Sequence, residues 1–295
     1  MNFYNKHLLS DFNLKKYELL TILELKKKFF LFFFKEKICI INEKQSLRTV
    51  NSLVNVLNFF NIKFSIINNK HNFKKENIKD FSRTIGILYN YIFYRGNNDV
   101  ILKTIAKYSG SVVINLLSNN FHPIQSISDI SNLINQKIIY FFGNFNSNVI
   151  KSTIINLSKL NKILIIFSPK IYWKINFLKK IFSNNKIIIT EKLIITNKKC
   201  SFYNDTWISM NETIFEKKIN KLINYQLNKK IFHYLKIKKI FHCLPSYNSN
   251  KLIPSEIDNF SFESKFTFFE KQIIDKIYIL NSYFILNKKS FFKVL

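Results

Sequence analysis

Short, continuous apolar runs alternate along this chain with longer segments whose apolar positions recur at helical spacing. Continuous runs of that length read as strands buried on both faces, and the segments between them as the helices that cover those faces. The alternation predicts an α/β protein built on mainly parallel sheets flanked by helices. Strands are expected at residues 37–41, 63–67, 91–94, 112–116, 138–142, 163–167, 187–189 and 239–242. Helices are expected at 14–28, where Leu14, Tyr17, Leu20 and Ile22 form an apolar stripe, and at 46–60, where Leu53, Val56, Leu57 and Phe60 do so. Further helical segments are 78–88, 100–108, 124–134, 149–160 and 212–227, and a last helix at 269–286 closes the chain. No internal repeat and no Gly/Ser-rich or Pro-rich linker interrupts the series.

The 295 residues suit two domains of ordinary size, since single cores stop growing near ~250–300 residues. The composition is skewed: 32 Phe and 14 Tyr stand against four Gly and four Pro, with long stretches of Ile, Asn and Lys, the signature of an AT-rich genome. That skew changes how the net charge of +28 is read. Such a charge ordinarily suggests nucleic acid or an anionic membrane. Here the lysines spread over the whole length without a basic block, so they read as solvated faces, and neither nucleic acid nor membrane is expected as a partner. The apolar run at 29–34 falls short of the ~18 residues a membrane-spanning helix requires. The amino-terminal residues lack a signal-peptide pattern, and Cys39, Cys200 and Cys243 are too scattered for a disulfide framework or a zinc knuckle. A cytoplasmic protein without a metal is expected.

Only three of the 46 cationic residues are arginine: Arg48, Arg83 and Arg95. Arginine presents a planar fork that grips phosphate or carboxylate bidentately, which a lysine point charge does not. In open parallel sheets ligands collect outside the carboxyl ends of strands, and the rare residue types of this chain fall there. Ser46-Leu47-Arg48-Thr49 follows the first strand and opens a helix, where free backbone N–H groups, hydroxyls and a guanidinium can meet one anion. Tyr94-Arg95-Gly96, His122-Pro123-Ile124-Gln125 and Gly143-Asn144-Phe145-Asn146-Ser147-Asn148 follow other strands. Asn204 to Met210 carries the internal methionine and one tryptophan, and Phe241-His242-Cys243-Leu244-Pro245 gathers a His, a Cys and a Pro. Each also has an ordinary reading. The first is a Ser helix cap with an exposed Arg, His-Pro a helix start, the asparagines a product of composition, and Cys243 an inert buried thiol.

Taken together and in order, these segments resemble the ornithine carbamoyltransferases, members of the family that includes aspartate carbamoyltransferase. Ser46-Leu47-Arg48-Thr49, preceded by Glu43-Lys44, is similar to the family's Ser-Thr-Arg-Thr motif. Tyr94-Arg95-Gly96, His122 to Gln125 and His242 to Pro245 are similar to its other carbamoyl-phosphate elements, and Tyr4 to Leu9 resembles its opening. Asp205, Ser209 and Met210 match an Asp-x-x-x-Ser-Met pattern, and Asn148 falls on the ornithine-binding asparagine.

The resemblance implies transfer of the carbamoyl group of carbamoyl phosphate to the δ-amino group of L-ornithine, giving L-citrulline and phosphate in arginine biosynthesis, without metal or cofactor. It implies that Ser46, Leu47, Arg48, Thr49, Arg95, His122, Gln125, Cys243 and Leu244 bind carbamoyl phosphate, with Arg95, His122 and Cys243 closest to the chemistry. Asn148, Asp205, Ser209 and Met210 would hold ornithine. Residues 1–131 with 271–295 would form the carbamoyl-phosphate domain and 132–270 the ornithine domain. The family's trimers, with active sites between subunits, imply a homotrimer, and the loop at 71–77 resembles one that reaches a neighbouring site, with His71 in the usual Gln position. Departures are Leu47, Val50 where a second Arg commonly stands, and Asp275 at the position of a carboxyl-terminal Arg that helps bind carbamoyl phosphate. The adjacent Lys276 is expected to supply that charge, and Arg83 matches a structural position. The alternatives are a different amino acceptor, aspartate or an acylated ornithine, and a non-catalytic family member.

Overall fold

The computed structural model describes residues 6–26, 36–43, 48–68, 76–181, 186–207, 216–244, 246 and 254–287. The apolar runs become strands because both of their faces are covered. Strands β1 (Ile38–Asn42), β3 (Tyr91–Arg95) and β4 (Val112–Leu117) are almost wholly buried, whereas β2 (Phe64–Ile67) is partly exposed, most at Ser65 and Ile66. Their order, β2-β1-β3-β4, is parallel throughout and puts the partly exposed strand at an edge. The helices of this unit are α1 (Lys16–Leu25), α2 (Thr49–Phe59), α3 (Ile78–Leu88) and α4 (Asp99–Tyr108), followed by α5 (Pro123–Leu133). Some of the asparagine excess serves as helix caps: Asn77 accepts from Lys79 N, and Asn98 from Val100 N and Ile101 N.

The second sheet has the order β7-β6-β5-β8-β9, again all parallel. Its elements are β5 (Ile138–Phe142), α6 (Asn148–Lys159), β6 (Ile163–Phe167), α7 (Ile175–Ile181), β7 (Ile187–Thr190), β8 (Cys200–Asp205), α8 (Glu216–Leu222), α9 (Lys229–Tyr234), β9 (Ile237–Cys243) and α10 (Asn259–Phe262). Phenylalanines fill its core edge to face, with Phe142 5.0 Å from both Phe167 and Phe202 between ring centroids.

The chain divides into two units, Met1–Ser128 with Ile273–Leu295, and Asp129–Gln272. The last helix, α11 (Phe269–Asn287), returns to the first unit. Its Phe284 ring lies 5.6 Å from Phe93, the Tyr283 hydroxyl donates to the Lys6 carbonyl at 2.8 Å, and Tyr91 donates to the Asn287 carbonyl at 3.0 Å.

Observed elements depart from the sequence reading in a few places. Strand β8 was not expected, because Cys200-Ser201-Phe202-Tyr203-Asn204-Asp205 mixes polar and apolar residues without a clear run. Ser201 and Asn204 are buried all the same, Asn204 donating to the Glu256 carbonyl at 3.4 Å. The helix expected at 212–227 is shorter: α8 ends at Leu222 in a 3₁₀ turn, Ile223–Tyr225, and residues 208–215 lie outside the described residues. Helices α7, α9 and α10 are too short to show a period.

Candidate active site

In the first unit the strand order reverses between β1 and β3, the place where open parallel sheets gather ligands. Arg48, which caps α2 after β1, and Arg95, the last residue of β3, come from those two strand ends. They are close enough that Arg48, after burial itself, holds the Arg95 guanidinium down to about 10. Thr49 begins α2 and is buried, as are His122 just before α5 and Gln125 in its first turn. Burial pushes the His122 imidazole well below its ordinary value, and Arg95, Lys276 and Arg48 add to the shift in that order. The unit therefore assembles three cations around one neutral histidine. Gathering like charge in a buried place is unfavourable, and a bound anion relieves it.

The carboxyl-terminal substitution resolves into two separate roles. Asp275 pairs with Lys26 at 2.7 Å and is 2% exposed, tying α11 to the end of α1. Lys276, 3% exposed, is the neighbour whose charge reaches His122. Val50 is buried in α2, where an arginine would have to give up solvent. Arg83 lies on the exposed face of α3, pairs with Asp80 at 2.8 Å and covers the Tyr108 ring.

In the second unit the order reverses between β5 and β8. The loop after β5 turns at Gly143, whose φ of 92° is a left-handed conformation, and leads to Ser147, the cap of α6. A side chain at Gly143 would meet Trp207 Nε1 at 2.5 Å. Asp205 ends β8 and accepts a short hydrogen bond from the Ser147 hydroxyl and another from Thr206 N at 2.9 Å. Burial nevertheless pushes its carboxyl up to about 6, against the opposing pull of these donors. Asn148 follows Ser147 as the first residue of α6.

Asp205 and Cys243 are register partners at the ends of β8 and β9, so their side chains share one face of the sheet. Leu244 follows directly. On the opposite face, His242 Nε2 lies 2.5 Å from Glu256 Oε1. Sequence reasoning missed Tyr203, Asp129, Ser147, Glu256 and Gln272. The Tyr203 hydroxyl donates to Asp129 at 2.5 Å, and Gln272 donates to the same carboxylate at 2.9 Å while accepting from His242 N. Of these, only Ser147 carried a local signal, as a serine before a helical run. Ser46, Leu47, His71, Ser209 and Met210 lie outside the described residues, as does Pro245. Among the described residues no group of three or more His, Cys, Asp or Glu could hold a metal ion, and no helix is long and apolar enough to cross a membrane.

Two family models cover these units in turn. Residues 6–135 match the aspartate/ornithine carbamoyltransferase carbamoyl-P binding domain, and residues 135–284 match the Asp/Orn binding domain. The chain belongs to the aspartate/ornithine carbamoyltransferase family. Relatives within this carbamoyltransferase family include an ornithine carbamoyltransferase of Buchnera aphidicola subsp. Schizaphis graminum, 34% identical over 65% of this chain and 63% of its own length. Another is a catabolic ornithine carbamoyltransferase of Mycoplasma capricolum subsp. capripneumoniae, 32% identical over 52% of this chain and 54% of its own. The matched stretch thus spans under two thirds of either relative. Among solved structures, the Pyrococcus furiosus ornithine carbamoyltransferase shares the fold with a TM-score of 0.86 over 97% of this chain and 98% of that one, at 21% identity. The anabolic enzyme of Campylobacter jejuni gives 0.82 over 95% and 98%, at 25% identity.

Proposed function

We propose that this chain is an ornithine carbamoyltransferase. Carbamoyl phosphate is the ligand of the first unit, where Arg48, Thr49 and Arg95, with Ser46 and Leu47 before them, neutralise its phosphate. His122, neutral by virtue of burial, can donate to the carbamoyl oxygen together with Arg95, Gln125 and Thr49, and those donors stabilise the charge that develops on that oxygen. Lys276 supplies the cation that Asp275 does not. Cys243 and Leu244 complete the carbamoyl-phosphate contacts, and a contact from His71 belongs to the same reading.

The observation that carries the acceptor is the Asp205 carboxylate beside Cys243. A carboxylate at the end of β8 attracts an α-ammonium group and repels a second carboxylate, which favours ornithine over aspartate. Asn148, Ser209 and Met210 hold the rest of the amino acid, and Cys243 helps aim the neutral δ-amine. Its nitrogen forms a bond to the carbamoyl carbon, the carbon–oxygen bond to phosphate breaks, and the amine loses a proton, giving citrulline and phosphate. We place the chain in the citrulline-forming direction of arginine biosynthesis, as a cytoplasmic homotrimer.

Citrulline production from carbamoyl phosphate tests the reading, with ornithine, N-acetylornithine and aspartate compared as acceptors. Turnover is expected with ornithine alone, and its absence from folded protein would leave a non-catalytic family member. Arg48→Lys keeps the charge and loses the fork, so the carbamoyl-phosphate KM should rise about tenfold or more. Comparing citrulline formation with phosphorolysis of citrulline assigns the direction, and sedimentation equilibrium reads the trimer.

A further inference from the structure

The thiol of Cys243 has a neighbour that this reaction scheme does not use. Tyr203 pairs in register with Phe241 and Asp205 with Cys243, so all four side chains fall on one face of the second sheet. The Tyr203 hydroxyl, 1% exposed as a residue, stands 2.5 Å from Asp129 Oδ2 and 3.5 Å from Cys243 Sγ. Asp129 is fully buried, and its other oxygen accepts from Gln272 Nε2 at 2.9 Å.

Counting protons fixes the direction of these bonds. A phenol has one proton, and a carboxylate at 2.5 Å is a far stronger acceptor than a sulfur at 3.5 Å, so that proton points to Asp129. Thr153 Oγ1 also lies 3.3 Å from the phenol, but its own proton goes to the Val149 carbonyl at 2.9 Å. A phenolic lone pair therefore faces Cys243, and only an S–H satisfies it. Burial, Asp129 and Cys243 push the Tyr203 phenol well above its ordinary value, so an ionised tyrosine does not enter. The charged groups around the sulfur agree: Asp205 is beside it on β8, Asp129 lies behind Tyr203, and the His242–Glu256 pair occupies the other face. A thiolate there would face two carboxylates.

We propose that Tyr203, anchored by Asp129, is a positioning residue that turns the Cys243 thiol proton inward and leaves the sulfur lone pairs as the acceptor for an N–H of the incoming amine. The identity of that amine rests on the carbamoyltransferase reading, but the geometry of the thiol does not. An amine that donates one N–H to sulfur keeps its own lone pair for the carbonyl carbon, and such alignment is worth rate.

The pH profile of Cys243 alkylation by iodoacetamide in the full chain tests the assignment. Cys39 and Cys200 are buried, and Cys243→Ser identifies the signal. Tyr203→Phe removes the acceptor of the S–H, so alkylation at a fixed pH below the midpoint should become about tenfold faster, the equivalent of one ordinary hydrogen bond. Asp129→Asn releases the phenolic proton toward sulfur and should shift the profile the same way. Slower alkylation in Tyr203→Phe would mean that the phenol donates to the sulfur, and that result, or an unchanged profile in folded protein, overturns the proposal. Infrared difference spectra of wild type against Cys243→Ser need no change at Tyr203. A hydrogen-bonded, red-shifted S–H band is expected, and an unshifted or missing band also overturns it. In kinetics, Tyr203→Phe should raise the ornithine KM more than that of carbamoyl phosphate. If ornithine is never turned over while the alkylation and infrared results hold, the carbamoyltransferase reading fails and the thiol assignment stands.

Discussion

At the scale of single residues, the telling contrast is between Asp275 and Lys276. Adjacent on one helix, they point to different partners: the acid closes an ion pair with Lys26, and the lysine adds its charge to the cluster around His122. Lys276→Ala should therefore raise the carbamoyl-phosphate KM about tenfold to a hundredfold, the range for one charged hydrogen bond, and leave the ornithine KM alone. An unchanged carbamoyl-phosphate KM would remove Lys276 from the site. Asp205 sets a pH dependence. The neutral fraction of an ornithine δ-amine falls about tenfold per pH unit throughout the neutral range. Below about 6 the Asp205 carboxyl also takes up a proton, so log kcat/KM for ornithine should steepen from slope one to slope two near that pH. A slope of one persisting to pH 5 would free Asp205 from the ammonium. The same residue affects stability in the opposite sense. Its carboxyl is raised from 3.8 to about 6 by folding, so between those values the folded chain binds more protons, and stability falls as pH rises through the window. Asp205→Asn should thus melt higher than wild type at pH 7, with the difference fading toward pH 4. Residue type and rarity pointed to Arg48, Arg95 and His122 in the sequence, and the family resemblance to Asp205. Nothing local pointed to Asp129 or Gln272, which acquire their meaning only from Tyr203 and His242.

At the scale of elements, each unit places candidate residues at the carboxyl ends of the strands where its own sheet order reverses: Arg48 and Arg95 at those of β1 and β3 in the first, Ser147 and Asp205 at those of β5 and β8 in the second. The strand after which most candidate loops fall was legible from apolar runs, and the start of α5 from Pro123, whereas the capping role of Asn77 and Asn98 was not. Strand β8 was not, since its buried Ser201 and Asn204 break the run. Gly143 shows how tightly the β5 loop is held against the segment that follows β8: its left-handed φ and the Trp207 ring both exclude a side chain. Gly143→Ala should cost about 1–3 kcal/mol in chemical denaturation. It should also weaken ornithine binding, because the same loop carries Ser147 and Asn148. Wild-type stability in that variant would mean the loop relaxes without strain.

At the scale of the whole molecule, the charge of +28 is a load on the fold more than a guide to a partner. Self-repulsion of so many lysines should make the melting temperature rise between about 10 and 150 mM NaCl, as the Debye length shortens from about 30 to 8 Å. Carbamoyl phosphate at a hundred times its Kd should add about 2.7 kcal/mol beyond NaCl of equal ionic strength. Equal effects of the two salts would argue against a specific anion site. The sequence by itself determined the fold class and most of the strands, because a strand covered on both faces is usually a continuous apolar run. It also marked the residues whose chemistry is scarce in so biased a composition. Tertiary structure alone decided which cation reaches His122, which serine holds Asp205 and which phenol faces the Cys243 thiol. Those choices depend on side chains brought together from segments far apart in the chain, and no pattern along one segment records them.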